Sequence, residues 1–86
     1  PDYLFRGVGY DLKTLGESAG ANTLFNRVKK AKWQAQNFII DVTNTKLDED
    51  TILAQVKKVF HREDTKWVDE ILIVQNRLRI QVFKRK

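Results

Sequence analysis

The sequence predicts an α/β (α+β) domain in which a mixed β-sheet is flanked by helices in the order ββαβαββ. Three observations predict it. Short β-rich runs open and close the chain. Two stretches with helical apolar spacing lie between them. A third β-rich run, NFIIDV, separates the two helical stretches. Strands alternating with helices in the middle of a chain call for crossovers between neighbouring strands, and so for one sheet with helices packed on it.

The elements follow in order. Tyr3-Leu-Phe and Val8-Gly-Tyr-Asp-Leu-Lys read as strands joined at Arg6-Gly7. A loop from Gly16 to Gly20 precedes a helix expected from about Asn22 to Gln36. Leu24, Val28 and Ala31 form its stripe, with Phe25 alongside, and Asn22 or Thr23 can cap it. Asn37–Val42 is of strand length, and residues 43–46 form a turn. Asp48 caps a second helix whose positive end suits Glu49 and Asp50. Its apolar face is Ile52, Leu53, Val56, Val59 and Phe60, and Lys57, Lys58, His61 and Arg62 occupy its later turns. Val68–Gln75 is a strand. Asn76-Arg77 is a hairpin turn, Leu78–Phe83 is the returning strand, and Lys84-Arg85-Lys86 is a basic tail.

Bulk properties narrow the function. The chain has 86 residues, enough for one domain spanning 1–86. It contains no cysteine and one histidine, His61, so disulfide frameworks, thiolate metal sites and multi-histidine sites are excluded. No apolar run approaches the ~20 residues of a membrane span. The chain opens at Pro1 directly into strand-like sequence and is expected to be a fragment of a longer polypeptide. The net charge of +5 favours polyanionic partners such as nucleic acid.

The opening stretch, PDYLFRGVGYDLK, carries the chemistry. Side chains alternate along a strand, so Val8, Tyr10 and Leu12 share one face and Gly7, Gly9, Asp11 and Lys13 the other. If Arg6-Gly7 is a two-residue turn, residues whose numbers sum to 13 lie opposite each other. Phe5 then faces Val8, Tyr3 faces Tyr10 and Asp2 faces Asp11. Opposed like charges destabilise a sheet, and a divalent cation would offset them. Gly7 and Gly9 leave that face bare, so another backbone can approach closely. Two acids, a metal ion and a lysine make a kit for phosphodiester hydrolysis. The alternative is that both aspartates sit at exposed strand ends and Lys13 pairs with one of them.

Pro1-Asp2 followed by Asp11-Leu12-Lys13 resembles the PD-(D/E)xK nuclease signature. With the following helix, QAQNFIIDV, a second helix and a closing hairpin, nearly the whole chain resembles the C-terminal nuclease domains of contact-dependent growth inhibition toxins. The resemblance implies a restriction-endonuclease-like core and a metal-dependent endonuclease acting on tRNA, or on DNA. It implies that Asp2 and Asp11 bind the metal, Mg²⁺ or else Mn²⁺ or Zn²⁺. It further implies that Lys13 is catalytic and that Gln34 lines the site. Family members carry a further acid on a helix before the first strand, and that helix is missing from this segment. The resemblance also implies a cognate immunity protein as partner, secretion or cell-surface delivery within a larger protein, and action in the target-cell cytoplasm. A different class of function is a non-catalytic basic module that binds nucleic acid.

Other residues read more plainly. Asp41 lies on the face of Ile39, as a further site acid or a solvated strand end. Lys29, Lys30 and Lys32 point in different directions from the first helix and either contact phosphates or face solvent. Trp33 and Trp67 flank strands and read as core or rim packing, with base stacking the alternative. Lys84 to Lys86, with Arg77 and Arg79, read as a strip facing nucleic acid.

Overall fold

The computed structural model describes residues 3–85, with the backbone alone of Phe5. An opening hairpin of β1 (Tyr3–Phe5) and β2 (Val8–Thr14) leads into α1 (Thr23–Lys30) and β3 (Asn37–Asp41). Then come α2 (Glu49–His61), a 3-10 turn at Glu63–Thr65, β4 (Glu70–Gln75) and β5 (Arg79–Lys84). The strands form one sheet in chain order. β2, β3 and β4 run parallel, and β1 and β5 flank them antiparallel.

Both helices belong to crossovers that step the sheet in the same direction. Right-handed crossovers then place both on the same face. The core agrees, since Leu24, Phe25 and Val28 of α1 and Ile52, Val56 and Val59 of α2 cluster with Phe38, Ile40, Ile71 and Ile73 of the sheet. Among the described residues the opposite face carries no helix. Tyr3, Tyr10, Ile39, Leu72, Ile80 and Val82 line a shallow apolar groove there of about 510 Å³.

The opening hairpin has the register expected of a two-residue turn. Phe5 pairs with Val8, Leu4 with Gly9 and Tyr3 with Tyr10. Arg6 and Gly7 both take positive φ, 53° and 80°, the turn whose twist matches that of the strands. The predicted partner of Asp11, Asp2, lies outside the described residues, as does Lys86.

The second hairpin departs from a simple two-residue turn. Asn76 and Arg77 have φ of 55° and 60°, and Leu78 donates to the Gln75 carbonyl at 3.1 Å. A two-residue turn would then pair Gln75 with Leu78. Instead Gln75 pairs with Arg79, leaving Leu78 as an extra, bulged residue, 89% exposed. A shift of one residue exchanges the faces of a strand. Phe83 and Gln81 therefore lie opposite core residues Ile71 and Ile73, and Ile80 and Val82 fall on the open face.

The helices also differ from expectation at one end. Asp48 caps α2 as predicted, accepting from the Thr51 N–H at 2.8 Å. Asn22 makes no such bond. The N-terminus of α1 is served from α2: buried Gln55 accepts from the Phe25 N–H at 3.2 Å and donates to the Gly20 carbonyl at 3.5 Å. α1 ends at Lys30 instead of reaching residue 36. Trp33 takes φ of 75°, and a left-handed residue cannot continue a right-handed helix.

The basic tail is not a free strip. Arg85 turns inward and donates to the carbonyls of Val68 (2.8 Å), Phe60 (3.0 Å) and Thr65 (3.3 Å). Its N–H bonds the Asp69 carbonyl at 2.9 Å. One guanidinium thus ties the end of β5 to α2 and the 3-10 turn. Arg85→Ala should destabilise the domain by about 2–3 kcal/mol, lowering Tm by about 10 °C or more. Arg79, in an exposed pair with Glu49 at 3.9 Å, should lose no more than about 1 kcal/mol on the same substitution. Urea denaturation of the two variants checks both values.

Asp64 is held in its charged form by two cations. Hydrogen bonds from Arg62 and Lys29 lower its pKa to about 2. Because the folded value is depressed, the associated stability is present above the ordinary carboxylate value near 3.8 and is lost as pH falls through about 2. Asp64→Asn should flatten the acid limb of stability against pH over that interval. NMR titration of the wild-type carboxyl should give a midpoint near 2.

Candidate active site

The register of β2 against β3 decides which way the predicted site residues face. Asp11 pairs with Phe38 and Lys13 with Ile40, and Phe38 and Ile40 are fully buried beneath the helices. Asp11 and Lys13 therefore share the helix-covered face, two residues and about 7 Å apart along the strand. Asp11 is buried, with 8% of its surface exposed, and Lys13 is half-buried. Gly9 stands on the same face one pleat earlier. A carboxylate kept out of water is costly unless its charge is balanced. A nearby lysine at the edge of the covered region supplies positive charge, and a hard cation would supply more.

Gln34 reaches the neighbourhood from a different element. It lies in the turn after α1, its N–H bonded to the Ala31 carbonyl at 2.9 Å. With Gly9, Lys32, Trp33, Asn37 and Trp67 it lines a cleft of about 410 Å³. Gly9 thus joins the two groups: it borders the cleft and stands in line with Asp11 and Lys13. Asn37 braces that junction by donating to the Gly9 carbonyl at 3.3 Å.

Two other acids are placed elsewhere. Asp41 shares the open face with Asn37 and Ile39, opposite to Asp11, and accepts from the Thr43 N–H at 2.9 Å. It shapes the turn that follows β3. Glu70 is also on the open face, where it accepts from the Tyr10 hydroxyl at 2.9 Å. Burial, and then this bond and the carboxylate charge, push the Tyr10 phenol up. Among the described residues no group of three or more His, Asp or Glu side chains stands together to hold a metal. Of the two acids expected to hold a metal, Asp11 is described and Asp2 lies outside the described residues. Carboxylate oxygen suits a hard cation that keeps much of its water, which fits Mg²⁺.

The model of the contact-dependent growth inhibition CdiA C-terminal domain matches residues 1–80. The chain belongs to that family. It is a CdiA C-terminal toxin domain, and the match spans the opening hairpin, both helices and the parallel strands. Comparison with curated proteins and with solved structures gives no match.

Within this toxin domain the tryptophans divide. Trp67 packs as expected, half-buried and edge-on to Phe38 with ring centroids 5.9 Å apart. Its indole N–H donates to the Asp64 carbonyl at 3.2 Å. Trp33 does not pack. It is 91% exposed, with the Lys32 ammonium 5.0 Å from its ring centroid. Its left-handed backbone costs of order 1 kcal/mol relative to glycine. The fold needs the turn but not the indole. Trp33→Asn should therefore leave thermal stability unchanged or raise it by up to about 1 kcal/mol, since asparagine tolerates that conformation. Thermal unfolding of the variant checks it, and a large loss would mean that the indole packs after all.

Proposed function

We propose that this toxin domain is a metal-dependent endonuclease that hydrolyses phosphodiester bonds in nucleic acid, with tRNA the first substrate and DNA the second. The observation that carries the reading is the buried Asp11 beside Lys13 on the covered face of β2, in line with Gly9 one pleat earlier. Asp11 and Asp2 would hold Mg²⁺, or Mn²⁺ or Zn²⁺ in its place. Such an ion supplies phosphoryl polarisation and an acidified water.

The remaining work falls to the chain. Gly9 lets the phosphate backbone approach the strand. The Lys13 ammonium, a compact point charge with three donors, holds a non-bridging phosphate oxygen or steadies the attacking water. Water adds to phosphorus and loses a proton to solvent, the P–O bond to one sugar breaks, and the departing sugar oxygen takes up a proton from solvent to leave as a hydroxyl. Gln34, with one donor and one acceptor on its amide, orients the chain entering from the cleft. A toxin of this kind is delivered within a larger cell-surface protein, acts in the target-cell cytoplasm and is held in check by a cognate immunity protein. With a net charge of +5 on the toxin, an acidic contact face on that partner would speed capture.

Incubation with total tRNA and with plasmid, each with Mg²⁺ or with EDTA, tests the reading. Cleavage should occur with the ion and stop without it, whereas charge-driven binding alone would survive EDTA. Lys13→Ala should abolish cleavage while costing at most about 1 kcal/mol of stability, and Asp11→Asn should abolish it too. Wild-type turnover in a folded Lys13→Ala protein would remove Lys13 from the reaction.

A further inference from the structure

We infer that the cleft at the end of α1 is a nucleobase site, in which Trp33 stacks one unpaired base of the substrate beside the scissile phosphate. This rests on the nucleic-acid reading above and goes beyond it, since it selects single-stranded or looped segments over continuous duplex.

Four observations meet at Trp33. The ring is 91% exposed on a backbone with φ of 75°, so the turn presents an indole that the core does not use. The ring stands at the lip of a cleft of about 410 Å³, within the size of small-ligand sites. Trp67 lies in the wall of the same cleft and is anchored against core Phe38, which makes that wall rigid. Gly9, Lys32 and Ala35 also line it, with Gln34, Gln36 and Asn37; the amides of Gln34 and Gln36 are donors and acceptors of the kind that read base edges, while Asn37 donates to the Gly9 carbonyl.

Charge favours nucleic acid over a protein partner. Lys32 holds its ammonium over the indole, and exposed Lys30 lies one helical turn away. Lys29 is engaged by Asp64 at 3.2 Å, so Lys30 and Lys32 are the cations of this segment left for phosphate. Among the described residues no carboxylate lines the cleft. A base stacked on Trp33 would have its phosphate beside lysine and its chain running past Gly9. Asp11 lies about 7 Å along the strand from Gly9, close enough for the adjacent phosphate. A paired base has both faces stacked inside the duplex and cannot offer one to Trp33 without leaving it, hence the preference for unpaired segments.

The test uses the 86-residue chain in EDTA, so that binding is read without cleavage. The probes are a fluorescent single-stranded oligoribonucleotide of mixed sequence and a hairpin-free duplex of equal length. Trp33→Asn should weaken single-strand binding about tenfold or more and duplex binding little. Trp33→Phe should restore most of the affinity. Lys32→Ala should reduce the salt dependence of single-strand binding by about one phosphate contact. Unchanged single-strand affinity in a folded Trp33→Asn protein would overturn the inference, as would an equal loss on duplex. The first outcome would also leave the exposed indole to a protein contact. Failure of this inference is separable from failure of the nuclease reading. If wild type cleaves nothing with Mg²⁺ yet Trp33→Asn still loses single-strand affinity, the base site stands and the nuclease reading falls. If Asp11→Asn alone abolishes cleavage and Trp33→Asn changes neither binding nor rate, the reverse holds.

Discussion

The parallel ladder between β2 and β3 sets everything that bears on chemistry in this domain. It pairs Asp11 with Phe38 and Lys13 with Ile40, so an acid and a base enter the face that the helices cover. Slipped by one residue, the same strand would send Asp11 and Lys13 to the open side and bring Tyr10 and Leu12 beneath the helices. Apolar packing is divided over that choice, since Tyr10 and Leu12 would enter the core but fully buried Leu15 would leave it. The hairpin with β1 and the bond from Asn37 to the Gly9 carbonyl support the observed register.

The rest of the architecture keeps this ladder in place with long polar side chains reaching across elements. Gln55 of α2 closes the end of α1. Arg85 closes the far edge by bonding three carbonyls from α2 to the start of β4. Buried Thr65 bonds the Val59 carbonyl at 2.7 Å and fixes the exit of α2. Among the described residues no buried side-chain nitrogen or oxygen is left without a partner. In a chain this small, where apolar burial is limited, such bonds orient the helices as much as the aliphatic core does.

The sequence made the local parts of this legible. The register of the first hairpin follows from a two-residue turn and alternation. α2 announces itself through Asp48 and a regular apolar face, and the common face of Asp11 and Lys13 follows from pleating. What escaped were features set by distant groups. The spacing of Leu24, Val28 and Ala31 runs on to Ala35, so periodicity alone extends α1 past Lys30. Only the chain reversal into β3 imposes the left-handed Trp33. The cap of α1 is an amide about thirty positions away, invisible to a rule that looks for Asn22. Arg85 sits in a run of cations that reads as solvated, and its carbonyl partners come from elements formed far upstream. Leu78 gave no sign of bulging, and that single extra residue moved Ile80 and Val82 to the uncovered face.

Strand order that repeats chain order has a consequence for how the domain forms. Each strand pairs with the one made just before it, and the largest loop to be closed contains one helix and its turns. The two hairpins close short turns, whereas the parallel pairs join residues such as Asp11 with Phe38 and Asn37 with Glu70, closures whose entropy is lost before the pairing rewards it. The expected kinetics are those of hairpins that form early and a parallel centre that forms later. Arg85 reaches back from β5 to α2 and the 3-10 turn, so its clasp closes only once that centre is in place.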